Sequence, residues 1–383
     1  MRVLINALHA KSGGGVTYLR NMLPRLAHDP RLELHLFLHE DQYALFAPID
    51  ERVRLHLLDF EPGLRSLMLW EQVSLPVVAR VMAADVTFSP ANFGPLCAPN
   101  PVIVLRNALA VAGTEKRLIK RLYWAGLGAL TAVSLIGCRR AIAVSDYARR
   151  HLTHRLGARI RRKTVVVHHG VDPMFSPGPV ADAETAADEP FLLAVADLYV
   201  QKNLHTLIAA LARVRVRHPG IRLKIAGRRI DEGYFSILEA AIAHHGLQDC
   251  VIFLGERPPS ELVQLYRNCT VFVFPSTVET FGNPLAEAMA CGAPIVSSNA
   301  AAMPEVVGDA ALQFDPLGEA DMADRILQVL EDKALAATLA RRGVARAARF
   351  TWERAAAATA QVLVDAAGRN RAPATATRPE PLP

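Results

Sequence analysis

Short apolar runs rich in β-branched residues alternate with segments of helical period along the chain, and the alternation starts afresh after a proline-rich break. In the first half the candidate strands are Val3–Asn6, Leu34–Leu38, Asp85–Phe88, Val102–Leu105, Ala141–Val144 and Thr164–His168. In the second half they are Phe191–Val195, Arg222–Ala226, Val251–Leu254, Val271–Phe274 and Pro294–Ser297. Between them lie helical patterns such as Leu204, Leu207, Ile208, Leu211 and Val214, which form one apolar stripe. Strand–helix alternation implies parallel sheets covered by helices. The break, Ser176–Pro190 (SPGPVADAETAADEP), has three prolines and no periodicity, as a linker would. The expected architecture is α/β, with two doubly wound domains facing across a cleft. Residues 1–175 would form the first domain, 176–190 the linker and 191–350 the second domain. Residues 351–368 would form a C-terminal helix and 369–383 a disordered tail.

A chain of 383 residues that is 51% hydrophobic and 21% charged can bury two cores, which excludes a mainly disordered protein. The five cysteines include no CxxC pair, so neither a disulfide framework nor a structural zinc site is expected, and a reducing compartment fits. The start, MRVLIN, reads as a strand rather than a signal peptide. The net charge of +6 is concentrated. Between Lys116 and Lys163 there are thirteen Lys/Arg and one acid, Asp146, a local +12 that leaves −6 for the rest. Such a segment points to one surface that meets an anion. A nucleic-acid partner is not expected, since only Tyr123, Trp124 and Tyr147 are interleaved for stacking.

The most informative stretch is Val271–Gly292, VFVFPSTVETFGNPLAEAMACG. A strand leads through a loop to a helix, with Asn283 as expected N-cap, Pro284 at its first position and Gly292 at its end. Ligands of open α/β sheets sit at the carboxyl ends of strands, and a helix start there suits phosphate. Gly282 admits a close approach to the backbone. Glu279 and Glu287 flank this feature and could accept paired hydroxyl hydrogen bonds from a sugar or ribose. The plain alternative is that Glu279 caps its loop and Glu287 is a solvated helix residue. In the first half, Ser12–Gly15 precedes the helical run Val16–Leu26 and offers a second glycine-lined helix start. The histidine pairs His168–His169 and His244–His245 lack metal-ligand company and read as structural.

The run ETFGNPLAEAMACGAPIVSS, continued by MPEVVGDAALQFDP and preceded by QKNLHTLIAAL and VIFLGERPPSELVQLY, resembles the donor site of retaining glycosyltransferases of family 4, which have the GT-B fold. The resemblance covers the second domain nearly completely and the first more loosely. It implies that Glu279, with the backbone of Phe281 and Gly282, contacts the transferred sugar. It implies further that Glu287 binds ribose hydroxyls, that Lys202 neutralises the diphosphate and that Asn283 lies at the donor site. By the same resemblance Gly14 and Gly15 line the cleft beside the diphosphate and acceptor, and neither metal nor cofactor is required.

Two departures accompany it. Many relatives carry an arginine after the first strand of the second domain, where this chain has AVADLYVQKN with Asp197. Arg228 is the candidate replacement cation. Many relatives also carry a histidine after the strand VIVL, where this chain has Arg106 and Asn107. Asn107 can hydrogen-bond a sugar hydroxyl but cannot act as acid or base, and Arg106 can reach a phosphate or an acceptor.

The implied function is transfer of a hexose from a nucleotide sugar, GDP-mannose or a UDP-sugar, to a hydroxyl of a saccharide or lipid-linked acceptor in polysaccharide or glycolipid assembly. A glycosidase pair would leave the phosphate-binding helix start without a purpose. A dinucleotide oxidoreductase would need a GxGxxG turn that is missing. The remaining rival is a non-catalytic nucleotide-sugar-binding scaffold, which the replaced arginine and histidine favour. Leu122–Cys138 carries no charge and has basic residues on both sides, including Lys116, Arg117, Lys120 and Arg121. At seventeen residues it is short for a span. It is either a core helix or a surface helix that brings 116–140 onto the inner face of the cell membrane, around an otherwise cytoplasmic enzyme.

Overall fold

The computed structural model describes residues 1–11, 13–61, 63–106, 118–178 and 189–368, with only the backbone of Leu64 and of 118–120. Thirteen strands form two sheets. β1 (Arg2–Asn6), β2 (Glu33–His39), β3 (Val53–Leu58), β4 (Val86–Ser89), β5 (Pro101–Leu105), β6 (Arg140–Ala143) and β7 (Thr164–Val166) make the first, in the order β3-β2-β1-β4-β5-β6-β7. β8 (Phe191–Val195), β9 (Arg222–Ala226), β10 (Val251–Gly255), β11 (Val271–Phe274), β12 (Ile295–Ser298) and β13 (Leu312–Phe314) make the second, in the order β10-β9-β8-β11-β12-β13. Neighbouring strands run parallel throughout, for example Val3 beside Leu34 and Val86.

The covering helices are α1 (Gly14–Ala27), α2 (Tyr43–Phe46), α3 (Leu64–Leu69), α4 (Leu75–Val81), α5 (Leu118–Gly137), α6 (Asp146–Thr153) and α7 (Gly157–Lys163) in the first half. In the second half they are α8 (Leu204–Arg217), α9 (Glu232–His244), α10 (Pro259–Asn268), α11 (Asn283–Cys291), α12 (Met303–Val307), α13 (Glu319–Glu331), α14 (Lys333–Ala347) and α15 (Trp352–Ala366).

Each sheet is buried on both faces, which is why its strands read as continuous apolar runs. In the first, Val3, Ile5, Phe88 and Val104 pack toward α1 and α15, while Leu4 and Phe37 meet Leu75 and Ala79 of α4. In the second, Leu192, Ala194 and Ile225 meet the Leu204–Val214 stripe of α8. The opposite face, Leu193, Phe272 and Phe274, packs with Tyr266, Leu285 and Met289, and this core runs on through Phe281, Phe350 and Trp352 into the first domain.

The chain crosses between the domains twice, and the crossings lie side by side. Val171 N–H donates to Phe350 O at 2.9 Å, and Val171 bridges Thr351. A Cβ on Gly170 would lie 2.2 Å from Trp352 N, so only glycine fits there. After the second crossing α15 returns to pack on α1 and on the first sheet. A further bond between domains is made by Glu305 of α12. Its carboxylate accepts from the N–H groups of Asp146 (2.7 Å) and Tyr147 (3.0 Å) at the start of α6, and pairs with His168 at 2.8 Å.

Several expectations need correction. Strands β3 and β13 were not expected. Both lie on sheet edges; β3 has only Val53 fully buried and carries Arg54 and His56, which hides its apolar pattern, and β13 has only three residues. Asn283 is not the N-cap of α11. It is the first helical residue, and the cap is Gly282, whose φ of 88° a side chain would resist. The core reading of Leu122–Cys138 holds for one face only: Leu135 and Cys138 are buried against Ile103, Leu105 and Ala141, while Leu122 and Tyr123 are each 65% exposed. No helix among the described residues is long and apolar enough to cross a membrane. Most of the linker (179–188), the tail (369–383), Ser12, Asn107, Lys116 and Arg117 lie outside the described residues.

Candidate active site in the cleft between the domains

In both sheets the chain reverses direction of travel beside its first strand, between β1 and β4 and between β8 and β11. Loops diverge at such switch points and leave a crevice at the carboxyl ends of the strands. The two crevices face each other and enclose a cleft of about 580 Å³. A second groove, between the end of α1 and α15, is about 700 Å³ but lies away from the carboxyl ends of either sheet.

The second-domain wall begins at β8. Ala196 N–H donates to Ala226 O and Leu198 N–H to Arg228 O, so the loops after β8 and β9 run together. Gly227 makes this possible. Its φ is 151°, and a Cβ there would fall 2.0 Å from Ala196 O. Arg228 clasps Asp197 by its backbone N–H (3.0 Å) and by its guanidinium Nη2 (2.7 Å) and Nε (3.2 Å). Burial alone would raise the Asp197 pKa, but these bonds and the Arg228 charge hold it below the usual carboxylate range. Arg228 therefore lines the cleft with its charge already met by an acid.

The next turn ends at Asn203, in a left-handed conformation (φ 55°) and fully buried. Its amide donates to Pro275 O (3.1 Å) and Pro316 O (2.6 Å), fixing the turn. Lys202, just before it, reaches Glu279 Oε1 at 2.5 Å, and both side chains are mostly buried. Glu279 is thus neither solvated nor a simple loop cap. α11 starts beside this pair. No side chain caps it; Pro284 has no N–H and the Leu285 N–H turns back to Gly282 O (3.0 Å), so the Asn283 N–H is the one left at this helix start for a ligand. One turn in, Glu287 is half-buried and accepts from Tyr266 Oη at 3.1 Å. Burial pushes its pKa up to about 7 despite that bond, and Asp172 adds to the rise.

The first-domain wall is the start of α1. Gly14 and Gly15 line the cleft, and no acid or side-chain cap stands at this helix start. A Cβ on Gly14 would lie 3.9 Å from Asn283 Nδ2, so the starts of α1 and α11 face each other closely. Arg106 follows β5. Its N–H is held by Asn92 Oδ1 (2.9 Å), its Nε donates to Pro90 O (2.8 Å), and its carbonyl accepts from Thr280 Oγ1 (2.6 Å). The loop between β1 and α1 is steadied from behind by Glu71, on the π-helical turn Trp70–Ser74, which accepts from Asn6 Nδ2 (2.9 Å) and pairs with His9 (3.2 Å).

His169 was expected to be structural only, yet it lines the cleft. Its Nδ1 donates to Asn283 Oδ1 at 2.9 Å, and its ring sits among Phe281, Trp352 and Tyr18. Burial pushes its pKa down to about 4, so it is neutral at ordinary pH. The only sequence signal for it was the HHG run that precedes the crossing at Gly170. The cleft therefore brings together Glu279, Lys202, Glu287, Phe281, Gly282, Asn283, Gly14, Gly15 and Arg228, while Asn107 lies outside the described residues. Among the described residues no three His, Cys, Asp or Glu gather as metal ligands would.

Residues 181–346 match the family model of glycosyl transferases group 1. The O-antigen chain mannosyltransferase B of Escherichia coli is 34% identical over 179 residues, 46% of each chain. The glycogen synthase of Mycobacterium tuberculosis is 34% identical over 211 residues, 54% of this chain and 50% of that one. The chain thus spans about half the length of the curated relatives it matches. The fold extends further. Anabaena HepE, solved in complex with UDP-glucose, superposes with a TM-score of 0.75 over 95% of this chain and all of its own, at 21% identity. The architecture is GT-B, and the match to the glycosyl transferases group 1 lies in the second domain, over residues 181–346.

Proposed function

We propose that this protein is a retaining hexosyltransferase that moves a sugar from a nucleotide sugar to a hydroxyl acceptor. The observation that carries the reading is the convergence, at the uncapped start of α11, of the Lys202–Glu279 pair and of Glu287 one turn on. Glu287, as a carboxylate, accepts the two ribose hydroxyls. The diphosphate lies over the start of α11 and draws Lys202 from Glu279, which then accepts hydrogen bonds from the transferred sugar. Phe281, Gly282 and Asn283 shape this end of the cleft, and Asn107 belongs to the acceptor side.

In the reaction the bond from the anomeric carbon to the diphosphate oxygen breaks. The acceptor oxygen bonds to the same face of that carbon, and its proton passes to the departing diphosphate. The negative charge that develops on the leaving group is met by Lys202 and the helix start, fixed in advance in a partly dry site, and no metal is needed. GDP-mannose is the first donor to try, and a UDP-sugar the second. The mannosyltransferase and glycogen synthase relatives support a saccharide acceptor in polysaccharide assembly. The test is release of nucleoside diphosphate from GDP-mannose and UDP-glucose with mannosides and glucosides as acceptors. Absence of turnover with every pair, in protein that binds the nucleotides, would favour the scaffold.

A peripheral membrane contact on the cytoplasmic side is the second part of the proposal, and the exposed face of α5 favours it. Leu122, Val133 and Ile136 are exposed, as are Leu69, Val73, Val77 and Val81 along α3 and α4. The 94–97 loop joins the two helical layers through bonds from Gly94 N–H to Ser134 Oγ and from Leu96 N–H to Gln72 Oε1. Apolar side chains next to the basic 116–140 segment suit the headgroup region of an anionic bilayer.

A further inference from the structure

The cleft is lined by several cations, but most are already paired. Lys202 meets Glu279, Arg228 meets Asp197, and Arg257 meets Glu261 and Leu254 O. Arg106 differs. Its Nε is bound to Pro90 O, while its two terminal nitrogens have no acceptor among the described residues. The guanidinium lies against the first turn of α1, where a Cβ on Gly15 would fall 2.5 Å from Nη2. Gly15 is therefore needed for more than a turn: it lets a cation lie flat on the positive end of a helix. That arrangement is unfavourable on its own. A half-buried guanidinium is only partly hydrated, and the helix start repels it. Burial does lower the Arg106 pKa, with only the Tyr18 hydroxyl opposing, and an arginine cannot escape by losing its proton. The buried Nε2 of His169, in the same cleft wall, also has no partner; with Nδ1 donating it is an acceptor, suited to a hydroxyl beside the anion rather than to the anion itself.

We infer that Arg106 and the first turn of α1 form a phosphate-binding site on the first-domain wall, supplying from that domain the second cation that Asp197 neutralises in Arg228. A guanidinium offers two parallel N–H donors to a phosphoryl group, and the anion relieves both the unmet charge and the repulsion from the helix. The inference rests on the donor reading of the cleft. The phosphoryl group comes either from the donor's diphosphate or from a phosphate carried by the acceptor.

The test is calorimetric titration of the full chain, wild type and Arg106→Gln, with inorganic pyrophosphate, GDP, UDP, guanosine and uridine, and with mannose 6-phosphate added after saturation with the nucleoside diphosphate. If the site takes the diphosphate, Arg106→Gln weakens pyrophosphate and nucleoside diphosphate by about tenfold or more and leaves the nucleosides unchanged, and Arg106→Lys restores part of the loss. If it takes an acceptor phosphate, nucleoside diphosphate affinity is kept and mannose 6-phosphate binding is lost. Equal binding of every phosphate ligand to wild type and Arg106→Gln overturns the inference. Should Arg106→Gln fail to fold, Gly15→Ala displaces the guanidinium without removing it and must weaken the same ligands. Binding of pyrophosphate that depends on Arg106, with neither GDP nor UDP bound, would uphold the anion site and reject the nucleotide-sugar reading.

Discussion

Replacing Glu287 by Gln separates the cost of holding this carboxylate from its use. The side chain is half-buried beside Tyr266, and burial raises its pKa from 4.5 to about 7. A folded-state pKa above the unfolded one means that the folded protein holds the proton more tightly. The stability due to that proton is complete below pH 4.5 and is lost as pH rises through 7. At about 1.4 kcal/mol per tenfold in the proton equilibrium, the ionised form costs on the order of 3 kcal/mol at pH 8. The edge open to the cleft is solvated, so about 2 kcal/mol is the working figure. Gln resembles the protonated acid and can still accept from Tyr266. Urea unfolding at pH 4.5 and pH 8 should therefore show the variant gaining about 2 kcal/mol on the wild type between the two conditions. The same substitution should weaken nucleoside diphosphate binding, because one amide oxygen replaces two carboxylate oxygens. In the wild type, nucleotide binding below pH 7 should release protons, read by calorimetry in two buffers of different ionisation enthalpy. A constant offset between the unfolding profiles at both pH values would refute the reasoning, since it would mean that Glu287 does not titrate in this window.

The other expectations are more direct. Glu279→Ala should lower turnover by at least about tenfold, while Lys202→Ala should mainly weaken binding of the free nucleoside diphosphate; near-wild-type kinetics in both would exclude the proposed donor site. Gly227→Ala would drive a Cβ into Ala196 O where two strand ends are already bonded, and should destabilise the second domain by about 3 kcal/mol, seen as a lowered thermal midpoint or loss of soluble protein. Sedimentation with anionic liposomes should capture the protein at low salt, less so at high salt, and less again when Leu122 and Ile136, or Lys116, Arg117, Lys120 and Arg121, are replaced by Ser. Protein that stays in the supernatant at low salt would remove the membrane contact.

The alternation of apolar runs and helical stripes is a local property, so both sheets and most central strands were legible without coordinates. So were the strand, loop and helix around Glu279 and Glu287, because Pro284 and Gly292 act through their own backbone preferences. Strands β3 and β13 escaped although the other edge strands, β7 and β10, did not: β3 is interrupted by Arg54 and His56, and β13 has only three residues, too few to show a period. Tertiary structure alone decided which cations are spent. Asp197 and Arg228 are 31 positions apart and Lys202 and Glu279 are 77 apart, and no periodicity reports a pairing across such distances. It also decided that His169 and Arg106 reach the cleft, because both stand where segments from different elements meet, and that α5 buries one face and exposes the other. An uncharged helix reads alike in a core or on a face. The local pattern says that it must be helical, and only its neighbours determine how much of it water can reach.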